Sequence, residues 1–502
     1  MRTQQIETAN AARRTGVLRR EFLIGATSLV LSGCGGGGSS ASNPSTVSIA
    51  SLTPPPAPAP APSPTIAAVV GPEAVTVQQF YKAADGNNLQ PAFQAALDAA
   101  AARSLRRVVN DMNGAAGEMW CPALKATSDG QNDGIPLVVR QPVAIDFRNI
   151  QLMLKGPTGG NRMVGQPIAN SSQPWLGGWL NVIGHSTFDL ISVENVVVDG
   201  GFAGDTVSNR DSNVTDKGFR VQDTQVERVF MRNVELRNFA GEIYYIGGLG
   251  PQLQEVVDCH FHGSPQCSWN PGGIGKVVAT NLQAGRGYQV AEVLGGKGHT
   301  YQGGRFYDSG AAGATFLGGP SPGFRPDYPY SFAYWDGVGE RPWVTFNGTV
   351  FDATPAVRLT CWMRGTIVTI DTPVWLIHDV GHLRDLDLQI ESRADRSSGF
   401  EALGLFGPPN LTTQVGGAPT GTYIKAPSDM KLKVDCVRTA NAIAAGRYHA
   451  AAARYYGGVL DGNTIALELS GVASRPWEEF AMRAPGFVMP QISTTGFRLP
   501  GG

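Results

Sequence analysis

The chain has 502 residues, with 40 lysines and arginines against 41 aspartates and glutamates, which gives a formal net charge of −1 at pH 7. Because positive and negative side chains are almost equal in number, the chain has no excess of basic residues of the kind that binds nucleic acid. We therefore expect no nucleic-acid partner. Even without its N-terminal segment, the chain is long enough to bury a sizeable core.

The N-terminus has the pattern of an export signal. Arg19 and Arg20 precede an apolar run, Phe22 to Leu31, that is shorter than the roughly 20 residues of a membrane-spanning helix. The arginine pair resembles a twin-arginine signal, and "LSGC", ending at Cys34, resembles the bacterial lipobox, whose cysteine is lipidated. An ordinary secretory signal is the alternative. We therefore predict that residues 1–34 are a lipoprotein signal and that the protein is lipid-anchored in the cell envelope, facing the periplasm or the outer surface.

Residues 35–72 form a predicted linker. Its Gly- and Ser-rich part is flexible, and "TPPPAPAPAPSP" favours extended polyproline II. Such segments bury no core, so the linker would hold the folded part away from the membrane. We expect a folded domain over residues 73–472 and a C-terminal tail over residues 473–502.

Five cysteines follow Cys34. Cys259 and Cys267 are close enough in sequence to form a disulfide, and buried free thiols are the alternative. The sequence has neither a Cys-x-x-Cys motif nor the His/Cys spacing of a structural zinc site.

Short segments with alternating apolar residues recur along the folded part. Those beginning at residues 253, 275 and 300 start 22 and 25 residues apart, and those at 343 and 365 start 22 apart. A period of about 20–25 residues with Gly or Asn turns is typical of the coils of a parallel β-helix. A β-sandwich is the rival, but it does not explain this spacing. We predict an all-β, right-handed parallel β-helix over about residues 130–470.

One amphipathic helix precedes the coils. The segment "LQPAFQAALDAAAARS" (89–104) places Phe93 and Leu97 on one apolar side and follows "FYKAADGN" (80–87). This arrangement resembles the N-terminal cap of pectate-lyase-like proteins, including polygalacturonase and phage-tailspike relatives, although "NNL" (87–89) replaces their usual run of aspartates. The resemblance implies a β-helix that is capped by an α-helix and acts on a polysaccharide.

Outward side chains on neighbouring coils are the catalytic candidates, because β-helix enzymes of this kind carry their sites there. Alternation around "VELRN" and "CHFHG" predicts one outward patch of four residues: Glu235, Arg237, His260 and His262. Together they offer a base, a cation and a proton donor. The alternative is the polar surface that every β-helix exposes.

Two further sets are predicted to bind sugar. Aligning segments that end in Gly-Gly stacks Tyr244, Trp269 and Glu292, and aromatic rings beside a carboxylate suit a sugar ring. The aromatic-rich stretch 320–343 is predicted to be a loop that walls a groove beside the catalytic patch. Its candidate residues are Arg325, Tyr334, Trp335 and Asp336. The alternative for the first set is partly buried aromatic side chains under a loop. The alternative for the second is a loop that folds back and packs its aromatic side chains on the rod.

The segment 204–223 is rich in charge. Its acidic residues are weak candidate ligands for Ca²⁺: Asp205, Asp211 and Asp216. Lys217 and Arg220 in the same segment could instead meet an acidic sugar, and a solvated turn is the third possibility. No other cofactor is expected.

The predicted function is cleavage of an acidic extracellular or periplasmic polysaccharide. The segment "GKGH" (296–299) matches the Gly-His-Gly motif of polygalacturonase-like hydrolases only partly, and no Asp-Asp pair accompanies it, so a lyase is favoured over a hydrolase. A lyase needs a cation beside the uronate carboxylate and a base for the α-proton. Arg237 with His260 or His262, or Lys217 with Arg220, could fill these roles. A non-catalytic glycan-binding or surface-scaffold lipoprotein is the alternative.

Overall fold

A computed structural model describes most of the chain after residue 72. The described residues are 73–112, 114–123, 134–161, 175–184, 187–202, 214–222, 224–247, 250–273, 275–294, 297–308, 315–316, 319–320, 332–335, 343–353, 357–359, 361–377, 384–406, 430–456, 462, 465–479, 483 and 487–501.

Within these ranges the chain is almost entirely β-structure. The helices are α1 Gln90–Ala102 and α2 Ala440–Ala444, with 3-10 turns at Val77–Gln79 and Ala83–Asp85. The strands are β1 Val75–Thr76, β2 Arg107–Val109, β3 Ala116–Trp120, β4 Leu137–Val139, β5 Val143–Lys155, β6 Trp175–Val182, β7 Phe188–Asp199, β8 Val214–Gln222, β9 Val226–Arg237, β10 Tyr244–Gly247, β11 Pro251–Val257, β12 His260–Pro271, β13 Lys276–Thr280, β14 Gln283–Leu294, β15 His299–Gln302, β16 Arg305–Tyr307, β17 Thr315–Phe316, β18 Gly319–Pro320, β19 Phe332–Trp335, β20 Val344–Asp352, β21 Val357–Leu359, β22 Cys361–Ile370, β23 Val374–Ile377, β24 Arg384–Ala394, β25 Glu401–Phe406, β26 Met430–Arg438, β27 Ala451–Tyr455, β28 Ile465–Val472, β29 Trp477–Glu479, β30 Gln491–Ser493 and β31 Phe497–Arg498.

The strands form a parallel β-helix with three faces, which confirms the predicted fold class. Of the 31 described strands, 29 belong to one sheet, and all the pairings in it are parallel and join strands of neighbouring coils. The first face contains β11, β13 and β15, and the second contains the C-terminal half of β9, then β12, β14 and β16. The third contains β6, β8, β10 and the C-terminal halves of β12 and β14. Only β17 and β18, among the described strands, pair in antiparallel fashion.

A one-residue corner joins the first face to the second on successive coils. Asn195, Asn233, Asp258 and Asn281 occupy this corner in turn, with φ values of 58°, 53°, 52° and 52°, a left-handed conformation that asparagine and aspartate tolerate. The Asn233 amide nitrogen donates to the side-chain oxygen of Asn195 at 3.0 Å, so the corners are bonded from coil to coil. Because this corner has a fixed length, it also fixes which residues of the second face point outward.

The interior is apolar, and α1 closes its N-terminal end as predicted. Phe93 of α1 is buried and stacks on Phe147 of β5 with ring centroids 5.0 Å apart. Phe147 in turn contacts Trp179 of β6. The helix therefore covers side chains of the first coils that would otherwise face water.

One sequence expectation about this domain needs correction. The described part of the predicted tail (473–502) belongs to the β-helix, because β29 pairs with β27, while β30 and β31 pair with β28. Of the two possibilities for Cys259 and Cys267, the structure shows buried thiols that form no disulfide. Over the described residues, no helix is long and apolar enough to cross a membrane.

Candidate functional site

The predicted catalytic patch lies on the second face. β9 and β12 pair so that His260 is opposite Glu235 and His262 is opposite Arg237. All four side chains are partly exposed, whereas their neighbours Leu236 and Phe261 are fully buried. The predicted outward orientation on adjacent coils is therefore correct.

Three of these residues form a hydrogen-bonded network with a carboxylate from the preceding coil. Arg237 Nη1 donates to Glu235 Oε1 at 3.0 Å, and His262 Nε2 lies 3.1 Å from the same oxygen. Arg237 Nε donates to Asp199 Oδ2 at 3.0 Å, and Asn238 also donates to Asp199. Both carboxylates are therefore used in holding the arginine and the imidazole in place.

The network keeps Glu235 ionised. The hydrogen bond with His262, together with the nearby charges of His262 and Arg237, lowers the pKa of Glu235 to about 2, against the opposing effect of burial. A carboxyl group with so low a pKa cannot donate a proton near neutral pH.

His260 has a different partner, which comes from two coils further along. The Tyr307 hydroxyl lies 2.5 Å from His260 Nε2, and the rings of His260 and His262 stack at 4.1 Å. Gly285, on the coil between, pairs with both His262 and Tyr307. A Cβ at Gly285 would overlap the Tyr307 ring, so glycine at this position is what lets the phenol reach His260.

Burial sets the protonation states of this second pair. Burial, and then the charge of His262, lowers the pKa of His260 to about 4. Burial also raises the pKa of Tyr307 above its ordinary value near 10. At neutral pH the pair is therefore a neutral imidazole that can accept a proton and a phenol that can donate one.

A free guanidinium accompanies the pair. Arg286 is exposed and follows Gly285 in β14. Its charge lowers the pKa of both His260 and Tyr307, so it acts on both groups electrostatically. Within the described part of the chain, Arg286 makes no ion pair or hydrogen bond through its side chain.

The patch has some of the features of a metal site. Ligand atoms of Glu235, His260 and His262 all lie within 4.8 Å of one another, and two imidazoles with one carboxylate are a known set of transition-metal ligands. However, Arg237 Nη1 donates to Glu235 Oε1 at 3.0 Å, and the positive charge of the guanidinium opposes the binding of a cation by this carboxylate. The arrangement is therefore better suited to proton transfer.

The predicted column of aromatics is inside the rod. Tyr244 pairs with Trp269 as expected, with ring centroids 4.5 Å apart, but both side chains are fully buried. Trp269 Nε1 donates to the Tyr301 hydroxyl at 3.1 Å, deep in the core. Trp269 pairs with Ala291, so Glu292 lies one position outside the predicted column. The expectation that Tyr244 and Trp269 offer their rings to a sugar is therefore wrong.

The predicted aromatic loop is partly a strand. Tyr334 and Trp335 belong to β19, which pairs with Val293 and Leu294 of β14 on the third face. They are thus part of a coil, and they do not lie on the second face beside His260. The prediction that Tyr334 and Trp335 wall a groove beside the catalytic patch is therefore wrong. Arg325 and Asp336 lie outside the described residues.

The described part of segment 204–223 is not a solvated turn. Asp216 is fully buried, and its carboxylate accepts a hydrogen bond from the Ala240 backbone at 2.7 Å. Lys217 pairs with Glu242, and Arg220 is also buried. Asp216 thus has a structural role in β8 and is not an open calcium ligand, while Asp205 and Asp211 lie outside the described residues.

Three members of the site were missed in the sequence: Asp199, Arg286 and Tyr307. Asp199 lies near the end of the segment 188–201 and Tyr307 near the end of the segment 300–310, and alternation from the inward Phe306 places Tyr307 outward. Arg286 directly follows Gly285, which pairs with Tyr307. To predict that these three residues lie close together, the register of the strands across several coils must be known.

No protein-family model and no curated protein sequence matches the chain. Among solved structures, the A-module of the mannuronan C-5 epimerase AlgE6 of Azotobacter vinelandii is similar, with 13% identity, a TM-score of 0.42, and coverage of 84% of this chain and 98% of that one. A mutant tailspike protein of E. coli bacteriophage HK620 in complex with a pentasaccharide has 11% identity and a TM-score of 0.38, covering 84% and 64%. The Agl-KA catalytic domain has 12% identity and a TM-score of 0.37, covering 88% and 69%. Similarity at this level concerns architecture alone.

Proposed function

We propose that the protein cleaves an acidic polysaccharide by β-elimination on the second face of the β-helix. The observation that carries this proposal is the hydrogen bond between His260 and Tyr307 beside Arg286, whose guanidinium has no partner among the described residues. β-Elimination from a uronate needs a base, an acid and a positive charge for the carboxylate, and these three side chains supply one of each.

Each residue has a distinct role in the proposed reaction. Arg286 pairs with the uronate carboxylate and stabilises the negative charge that develops when the α-proton leaves. When substrate binds, the Tyr307 O–H turns from His260 Nε2 to the glycosidic oxygen, which frees the lone pair of Nε2. His260 Nε2 then takes the α-proton, the bond from the β-carbon to the glycosidic oxygen breaks, and a carbon–carbon double bond forms. Tyr307 gives its proton to the departing oxygen. The His260 proton then returns to the Tyr307 oxygen across their hydrogen bond, which restores both groups.

Hydrolysis is less well supported by the same residues. A glycosidase normally needs two carboxyl groups, one of them with a raised pKa so that it can act as an acid. Glu235 has its pKa lowered to about 2, and Asp199 accepts hydrogen bonds from Arg237 and Asn238. Glu235 is therefore ionised and cannot protonate a leaving group, and both oxygens of Asp199 are occupied by hydrogen bonds.

A panel of acidic polysaccharides tests the proposal. Purified protein is incubated with each polymer, and the ultraviolet absorbance of unsaturated uronates is followed together with the number of reducing ends. A lyase produces both signals. New reducing ends without absorbance would mean hydrolysis, and binding without either would mean a glycan-binding scaffold; both results contradict the proposal.

A further inference from the structure

A second group of charged residues lies on the second face and its edge, beyond Tyr307. Arg305 of β16 forms an ion pair with Asp352 of β20, and Arg396, which follows β24, forms an ion pair with the other oxygen of the same carboxylate. Arg396 Nε also donates to Asp371 Oδ2 at 3.0 Å. One carboxylate thus holds two guanidinium groups from different coils.

The positive groups of this set are exposed and the negative groups are buried. The side chains of Arg305 and Arg396 are 48% and 51% exposed, whereas that of Asp352 is 6% exposed. The surface therefore presents guanidinium N–H groups, with their counter-charges underneath. A buried carboxylate needs a cationic partner, so folding explains one of the two arginines but does not require both.

The chain carrying Arg396 is fixed before any ligand arrives. The Asp371 side chain, which is 4% exposed, accepts hydrogen bonds from the backbone N–H groups of Asp395, Arg396 and Ser397 at 2.9, 2.9 and 3.1 Å. Arg396 therefore leaves from a turn that is tied to the rod. A fixed guanidinium loses less conformational entropy on binding than a mobile one.

The two arginines continue the surface that carries the reacting pair. Arg305 lies in the same strand as Tyr307, with its guanidinium carbon 5.3 Å from the Tyr307 ring centroid. Tyr307 pairs with Asp352 on the next coil. At about 4.8 Å per coil, Arg305 lies about 10 Å, and Asp352 about 14 Å, along the axis from His260. A polymer bound at His260 and extending towards the later coils would pass over both arginines.

We propose that Arg305 and Arg396 form a subsite that binds a carboxylate of the same acidic chain, a few sugar residues away from the residue cleaved at His260. This inference rests on the proposed function for the identity of the chain. Guanidinium groups bind carboxylates through paired, charge-assisted hydrogen bonds, which suits a uronate better than a neutral sugar. The substrate is therefore a polymer with repeated uronate residues, and its acidity is recognised away from the reacting bond.

Binding measurements separate this subsite from the catalytic residues. Oligogalacturonates of increasing length are titrated calorimetrically against the wild type and the variants Arg305→Gln and Arg396→Gln. We expect each variant to lose about 10-fold or more in affinity for long oligomers, the loss of one charged hydrogen bond, and to bind a disaccharide like the wild type. Unchanged affinity for long oligomers in both variants would overturn the inference.

Controls make the result specific. Arg483 is also about half exposed and pairs with a carboxylate, Glu479, so Arg483→Gln should bind like the wild type. If Arg396→Gln does not fold, Arg396→Lys replaces it in the titrations, because lysine keeps the charge but cannot make the paired hydrogen bonds of a guanidinium. Carboxyl-reduced polymer should bind weakly and equally to every variant; an arginine-dependent affinity for it, or arginine-dependent binding of sulfated glycans alone, would contradict a uronate subsite.

Failure of the subsite and failure of the proposed reaction give different results. Arginine-dependent binding of oligogalacturonates without any cleavage would support the subsite and contradict the β-elimination. Cleavage that depends on His260 and Tyr307, but not on Arg305 or Arg396 at any oligomer length, would support the β-elimination and contradict the subsite.

Discussion

The Tyr307 hydroxyl lies 2.5 Å from His260 Nε2 although the two residues are 47 positions apart in the chain. The contact depends on register, since Tyr307 belongs to the second coil after His260, and on Gly285, which leaves room for the phenol ring between them. A base and an acid are thereby placed on one surface by strands whose inward side chains, Phe261 and Phe306, are buried in the core. Such a pair can be altered without disturbing the core.

Removing either member of the pair should reduce turnover. We expect His260→Ala and Tyr307→Phe each to lower kcat by about 10²- to 10⁴-fold, the usual contribution of a general acid or base, with little change in the thermal unfolding midpoint, because neither side chain belongs to the apolar core. Initial rates of unsaturated-uronate formation measure the effect. Equal rates in both variants and the wild type would remove the pair from the mechanism.

Gly285→Ala should act through Tyr307. The new methyl group would overlap the phenol ring, and the Gly285 backbone cannot easily shift because its carbonyl accepts a hydrogen bond from buried Ser268 at 3.0 Å. We expect turnover to fall to about the level of Tyr307→Phe. The double variant should show no further loss, since both changes remove the same contact. Additive losses would mean that Gly285 affects activity by another route.

The pH dependence of turnover should reflect His260. The base must be neutral, and its pKa is lowered to about 4, so kcat/KM should fall as the pH drops through about 4. The raised pKa of Tyr307 should keep the acid protonated up to about pH 10. Arg286→Gln removes a charge that lowers the pKa of His260, so the acid limb should move to higher pH in addition to any loss of rate. A limb that stays in place would contradict this arrangement.

Stability should depend on pH through a different histidine. His449 is fully buried, its Nε2 lies 3.0 Å from Ser392 Oγ, and burial lowers its pKa to about 4. Since the unfolded histidine takes up a proton near pH 6.5, the unfolded state binds more protons between about pH 6.5 and 4. Titration of His449 should therefore leave the free energy of unfolding unchanged above pH 6.5 and lower it by about 3 kcal/mol as the pH drops from 6.5 to 4.

The comparison with His449→Gln isolates this contribution. Denaturant unfolding of both proteins is measured at several pH values between 4 and 7, and the difference between the two curves is plotted. Other titrating groups contribute equally to both proteins and cancel. The difference should narrow or reverse towards pH 4, and two parallel curves would show that His449 does not titrate in this way.

Local patterns were sufficient to predict the fold and the orientation of the patch. The spacing of the coils and the alternation within each strand depend on nearby residues, so Glu235 and His262 were placed outward correctly. At Tyr244, alignment on the Gly-Gly pairs predicts the wrong side of the strand. Ile246, two residues later in β10, is buried, and alternation from it places Tyr244 inside as well.

The remaining members of the site could not be predicted because they depend on register between coils of unequal length. Tyr307 reaches His260 only because Gly285 lies between them, and no single segment contains all three residues. The aromatic stretch was misleading for another reason. Composition indicated an unusual segment, but it did not show that Tyr334 and Trp335 continue the third face as β19.

The proposed anchor gives the last prediction. Cys34 lies outside the described residues, and its role is inferred from the "LSGC" motif after an apolar run. We expect Cys34→Ser to move the protein from the membrane fraction to the soluble fraction, because a serine cannot carry the lipid and the chain from residue 35 to 72 is too polar and too rich in Gly and Pro to insert by itself. Ser42→Ala, in the linker, is the matched control and should stay with the membrane. Retention of the Cys34→Ser protein in the membrane fraction after a high-salt wash would show that Cys34 is not the anchor.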